Sequence, residues 1–115
     1  MPVLSNAKKE AIDRIGFGLM DKLWIEFPSV FWTDDLENDW ILYISDNPGE
    51  WVETLNIKKF LDKPILVMFN VGDVARTFAD KTDNEIIENA MKVLRNIYPT
   101  APEPIGFKRS NWSKE

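Results

Sequence analysis

Lys22 is the side chain best placed in this sequence to do chemistry. It lies four residues past Gly16-Phe17-Gly18, where two glycines let the backbone bend or approach a partner closely. An ammonium at the mouth of a strand is either a solvated edge charge or a cation held against a cofactor, and the residues alone leave both readings open. Asp34, Asp35, Glu37 and Asp39 could be read as an acidic metal site. A calcium loop, however, needs a fixed alternation of oxygen ligands with a glycine, so this run reads as a solvated loop. The 115 residues include no histidine and no cysteine. That removes Ser-His and Cys-His nucleophilic pairs, thiolate chemistry and most transition-metal sites.

Charge narrows the partners. Fourteen basic residues against nineteen acidic ones give a net charge of −5, which argues against a surface built to neutralise nucleic-acid phosphates. With 44% hydrophobic residues the chain can bury a real core, and its length is that of one domain or part of one. No apolar run approaches the roughly 18 residues of a membrane span, and the first residues form no signal peptide. The expected location is cytoplasmic by default.

The elements that must position Lys22 can be read in order. Ser5 or Asn6 can cap a short helix over 7–15, with Ala7, Ala11, Ile12 and Ile15 as its apolar stripe. A strand over 20–27 follows in period two: Leu23, Ile25 and Phe27 on one side, Lys22, Trp24 and Glu26 on the other. Pro28 ends it, and Val30-Phe31-Trp32 returns bulk toward the core. Segments 40–45 and 50–56 read as a hairpin around Asp46-Asn47-Pro48-Gly49. A pivot near Pro48 sets Tyr43 opposite Glu53, on one face with Leu55, and sends Trp40, Leu42 and Ile44 into a helix-covered core. Residues 58–63 read as a polar bridge. The unbroken apolar run 64–69 marks a central strand covered on both faces. Asp73 opens a short helix through Phe78. Thr82-Asp83-Asn84-Glu85 is a capping box that starts a helix over 83–97. Pro99, Pro102 and Pro104 stop it, and 105–112 reads as a last strand. The expected fold is α+β: a mixed, mostly antiparallel sheet of about five strands with helices packed on one face.

Gly16-Phe17-Gly18, Lys22 and the strand running into Phe31-Trp32 together resemble the flavin-containing amine oxidases. Members carry a Gly-Phe-Gly-type turn, a lysine four residues on and a Phe-Trp soon after the strand. The resemblance continues through Asn56, the strand at 64–72 and Asn111-Trp112, so it spans nearly the whole chain. It implies that residues 1–115 are a single, partial substrate-binding domain. The FAD-binding domain is expected to be absent from these residues, since no strand in them leads into a Gly-x-Gly-x-x-Gly turn that opens a helix.

The family's roles carry over to a few positions. The resemblance implies that Lys22 is the active-site lysine, which reaches the cofactor FAD through a water. It implies that Tyr43, Glu53, Leu55 and Phe69 line the substrate cavity, and that Trp112 lies near the cofactor. Glu53 stands where monoamine oxidases commonly have an aromatic residue; a carboxylate there would suit a second ammonium on the substrate or simply reach solvent. Asn111 before Trp112 is similar to monoamine oxidase-like members. The implied reaction is oxidation of an amine C–N bond to an imine with O2 as acceptor. The isolated chain is expected to bind no FAD and to be inactive. Its expected partners are an amine substrate and the missing FAD-binding domain, with no nucleic acid and no membrane span, and self-association through the uncovered sheet face. The alternative is a stand-alone, non-catalytic binding or scaffolding module of the same fold.

Overall fold

The computed structural model describes residues 2–32 and 39–114. In chain order the elements are α1 (Asn6–Arg14), β1 (Met20–Glu26), β2 (Trp40–Leu42), β3 (Glu53–Asn56), α2 (Lys58–Leu61), β4 (Ile65–Val71), α3 (Gly72–Phe78), α4 (Asp83–Ile97) and β5 (Gly106–Arg109). The strands form one sheet in the order β2-β3-β4-β1-β5, and every neighbouring pair is antiparallel. The fold is α+β as expected, with an antiparallel rather than a mixed sheet.

The period-two pattern of β1 decides which face is covered. Leu23, Ile25 and Phe27 are buried, and they share one cluster with Leu66 and Met68 of β4 and with Ile86, Ala90, Met91, Val93 and Leu94 of α4. Burying each large aliphatic side chain of this kind is worth about 1.5–3 kcal/mol. The cluster therefore fixes how β1 and β4 face α4. α4 starts as its sequence dictates: the Thr82 hydroxyl accepts from the Glu85 N–H, while the Glu85 carboxylate accepts from the Thr82 N–H at 2.7 Å. These contacts satisfy helix donors that would otherwise lack partners. Val30-Phe31-Trp32 does return to the core, where Phe27, Phe31, Trp32 and Tyr98 meet edge to face.

Three expectations need correction. The hairpin register is one residue away from a pivot at Pro48: Leu42 pairs with Glu53 and Trp40 with Leu55. Tyr43 therefore joins Ile41 on the helix-covered side and packs against the core. Trp40 and Leu42 lie on the uncovered side, both exposed, and Ile44, beyond the end of β2, is 96% exposed instead of entering a core. The turn itself follows its residues, since Gly49 has φ +87° and the Glu50 N–H donates to the Asn47 carbonyl at 3.1 Å. What shifts the register is Trp51, which also takes a left-handed φ of 49°. It is pinned there: its backbone N–H donates to Asn70 Oδ1 at 3.0 Å and its indole N–H to Asn89 Oδ1 at 2.6 Å. An extra left-handed residue in one arm exchanges the two faces of the other.

The second correction concerns the helices. α1 is capped by Ser5 as expected, yet it buries no residue, and its Ile12 and Ile15 are exposed. Among the described residues, α3 and α4 are the helices that contribute buried side chains. Third, the stretch read as a polar bridge winds into α2 and ends at Asp62 in a left-handed conformation. Asp34, Asp35 and Glu37 lie outside the described residues. Asp39 forms an ion pair with Lys59 at 2.6 Å.

Candidate functional site

The uncovered face of the sheet is organised in rows set by strand register. One row runs Leu42, Glu53, Phe69, Lys22 across β2, β3, β4 and β1. The next runs Trp40, Leu55, Val67, Trp24, Lys108 and reaches β5. Adjacent strands lie about 4.8 Å apart, so the Lys22 and Glu53 backbones are separated by roughly 10 Å with Phe69 between them. Trp40 and Phe69 are in contact, their ring centroids 5.8 Å apart.

Of the six residues expected to meet substrate or cofactor, four that lie on strands, namely Lys22, Glu53, Leu55 and Phe69, share this face. Tyr43 does not: its hydroxyl accepts from Asn96 Nδ2 of α4 at 3.1 Å on the opposite side. Lys22 is exposed, and among the described residues no carboxylate pairs with its ammonium. Glu53 is likewise exposed and without an ion pair among the described residues. Both charges are free to meet a ligand.

Trp112 is brought to Lys22 from the far end of the chain. The two residues, with Phe17, Gly18, Leu19 and Met20, line an open hollow of about 700 Å³. A second hollow on the same edge sets Lys22 and Trp24 beside Lys108 and Trp112. Two ammoniums and two indoles thus converge on one corner of the uncovered face. Such a corner can hold a flat aromatic ring that carries or gains negative charge, by stacking and by Coulomb attraction.

Local hydrogen bonds hold this corner together. The Lys22 N–H donates to Ser110 Oγ at 3.0 Å, and the Ser110 N–H returns to the Lys22 carbonyl at 3.0 Å. Ser110 Oγ–H and the Trp112 N–H both donate to Asp21 Oδ1 at 3.0 Å. Asn111 Nδ2 donates to the Ala79 carbonyl at 2.8 Å, tying the same segment to the end of α3.

Sequence reasoning missed Lys108, Asp21 and Ser110. Trp24 was legible, because period two puts it on the Lys22 side of β1. Lys108 was not, because it joins the face only through the pairing of Trp24 with Lys108, and nothing local in 105–112 announces that register. Among the described residues no group of three acidic side chains could hold a metal ion, and no helix is long and apolar enough to cross a membrane.

The sequence profile of the family described as "Flavin containing amine oxidoreductase" matches residues 2–115. Two similar proteins from Arabidopsis thaliana are lysine-specific histone demethylase 1 homolog 2, 34% identical over 99% of this chain, and homolog 3, 31% identical over 99%. Polyamine oxidase 5 of Oryza sativa subsp. japonica is 29% identical, again over 99% of the chain. The chain spans only a small part of these relatives: 16% of the first, 7% of the second and 23% of the third.

Proposed function

The chain belongs to the flavin-containing amine oxidoreductases, and from that premise we propose that it forms the amine-facing wall of an FAD-dependent oxidase. FAD, when bound, supplies the two-electron step, taking a hydride equivalent from the carbon beside the amine nitrogen and passing electrons on to O2. The observation that carries the reading is the shared face of Lys22, Phe69 and Glu53. The residues present fit one edge of the cofactor. Lys22 and Lys108 offer positive charge where a ring becomes electron-rich, and Trp24 and Trp112 offer flat apolar walls.

In this reading Lys22 organises a water molecule at the cofactor and attracts the negative charge that develops there. Phe69, Leu55, Trp40 and Val67 exclude bulk water from the amine and hold its methylene groups. Glu53 accepts from a second ammonium on the substrate. Tyr43 leaves the cavity wall, because its hydroxyl is engaged with Asn96 on the other side. The histone demethylase and polyamine oxidase names of the relatives favour an amine nitrogen on a longer cationic chain. They favour it over the monoamine reading suggested by Asn111.

The chain by itself is a segment of the substrate-binding domain and turns over no amine. The test is direct. The FAD-loaded enzyme, given a polyamine or an N-methyl-lysine peptide, releases peroxide and the aldehyde formed when the imine hydrolyses, while this chain alone mixed with FAD releases neither. Absence of peroxide from the FAD-loaded enzyme with every amine offered overturns the reading.

A further inference from the structure

Lys22 and Trp112 are 90 residues apart in sequence, and one carboxylate joins their backbones. Asp21 Oδ1 accepts from the Trp112 N–H and from Ser110 Oγ–H, each at 3.0 Å. Ser110 in turn brackets Lys22, accepting from its N–H and donating to its carbonyl. The regular ladder between β1 and β5 has its last pair at Leu23 and Arg109. Beyond that pair the Lys22 carbonyl still accepts from the Ser110 N–H, but the Lys22 and Trp112 N–H groups donate to side chains, and Trp112 reaches the hollow lined by Lys22.

We propose that Asp21 is a positioning residue that fixes Lys22 and Trp112 relative to each other at the cofactor edge. This inference rests on the amine oxidase reading above. A carboxylate that accepts two donors makes charge-assisted bonds, roughly twice as strong as neutral ones. It is also rigid enough to stop the segment 110–112 from swinging away from the sheet. Without it, Ser110 keeps its backbone bond to Lys22 and Asn111 its bond to the Ala79 carbonyl, but the Trp112 N–H loses its carboxylate acceptor. The indole is then free to leave the hollow it lines with Lys22, and the water that Lys22 holds loses its fixed place. Misplacing a reacting group by about 1 Å can cost roughly 100-fold in rate. The effect falls on the step in which Lys22 acts and not on amine binding.

The experiment compares Asp21→Ala, Asp21→Asn, Ser110→Ala and Lys22→Met in the FAD-loaded enzyme. Stopped-flow absorbance follows reduction of the flavin by amine and its reoxidation by O2 as separate rates, and hydrogen exchange follows the Trp112 and Lys22 amides. Asp21→Ala is expected to slow reoxidation by about 10- to 100-fold, to leave reduction by amine within about twofold, and to speed exchange at the Trp112 amide about tenfold. Asp21→Asn keeps the acceptor oxygen and restores most of both. Ser110→Ala gives an intermediate loss, and serves where Asp21→Ala fails to fold. Unchanged reoxidation in Asp21→Ala or Ser110→Ala, beside a large loss in Lys22→Met, overturns the positioning role while leaving the role of Lys22 intact. Unchanged reoxidation in Lys22→Met overturns the underlying reading, and this proposal falls with it.

Discussion

Lys22 and Glu53 stand on opposite sides of one residue, Phe69, each its direct partner across an antiparallel strand pair. A cation and an anion are thereby held roughly 10 Å apart, between backbones, with an aromatic ring between them. That spacing keeps the two side chains from neutralising each other through direct backbone neighbourhood. It also leaves an apolar floor on which an alkyl chain can lie. The relationship follows from strand register alone, so it persists through side-chain motion.

Glu53→Gln is expected to raise KM for a diamine or triamine by up to about fivefold, the range of an exposed ion pair. KM for a simple monoamine stays unchanged. Steady-state kinetics on matched substrates check this; an equal rise for both shows that Glu53 does not read a second ammonium.

Core and site separate cleanly in stability. Leu94 is fully buried, and Leu94→Ala is expected to cost about 2–5 kcal/mol. Lys22 is exposed, and Lys22→Met stays within about 0.5 kcal/mol of the parent. Urea titration followed by tryptophan fluorescence distinguishes the two.

Glu85 supplies the pH dependence. The Thr82 N–H first, then the Thr82 hydroxyl, donate to its carboxylate and hold it below the usual value of 4.5. Because the folded value is depressed, the contribution is fully present above about pH 4.5 and is lost as the pH falls through the lower folded value. Glu85→Gln is expected to be less stable than the parent at neutral pH and to lose less between neutral pH and the acid range. Thermal unfolding across pH 7 to 3 measures it.

The uncovered face exposes Trp24, Trp40, Leu42, Val71 and Met20. Contiguous apolar surface of this kind drives association, so the isolated chain is expected to form dimers or larger species. Light scattering checks this, and Leu42→Lys, placed on the edge strand β2 of this face, shifts the chain toward monomer.

Much of this arrangement was legible in the sequence, and the failures have local causes. The alternation of Leu23, Ile25 and Phe27 against Lys22 and Trp24 fixed the faces of β1, because period two is set by strand geometry. Thr82 and Glu85 announced the start of α4 through a contact that spans only three residues. The hairpin went wrong at Trp51. A left-handed conformation at a bulky residue is unfavourable locally, and it is held by Asn70 and Asn89, 19 and 38 residues away. No local signal encodes that, and the one-residue shift moved Tyr43 off the face and Trp40 onto it. The apolar stripe of α1 predicts burial, yet none of its residues is buried. Lys108 and Ser110 needed the β1–β5 register, which is likewise a long-range property.

The most direct measurement is the rate at which O2 reoxidises the amine-reduced flavin in the FAD-loaded enzyme carrying Lys22→Met. If Lys22 holds the water that serves this step, reoxidation falls by about 100-fold, with reduction by amine close to the parent rate. Reoxidation at the parent rate, in a folded and FAD-loaded variant, would contradict the role given to Lys22 and to the face built around it.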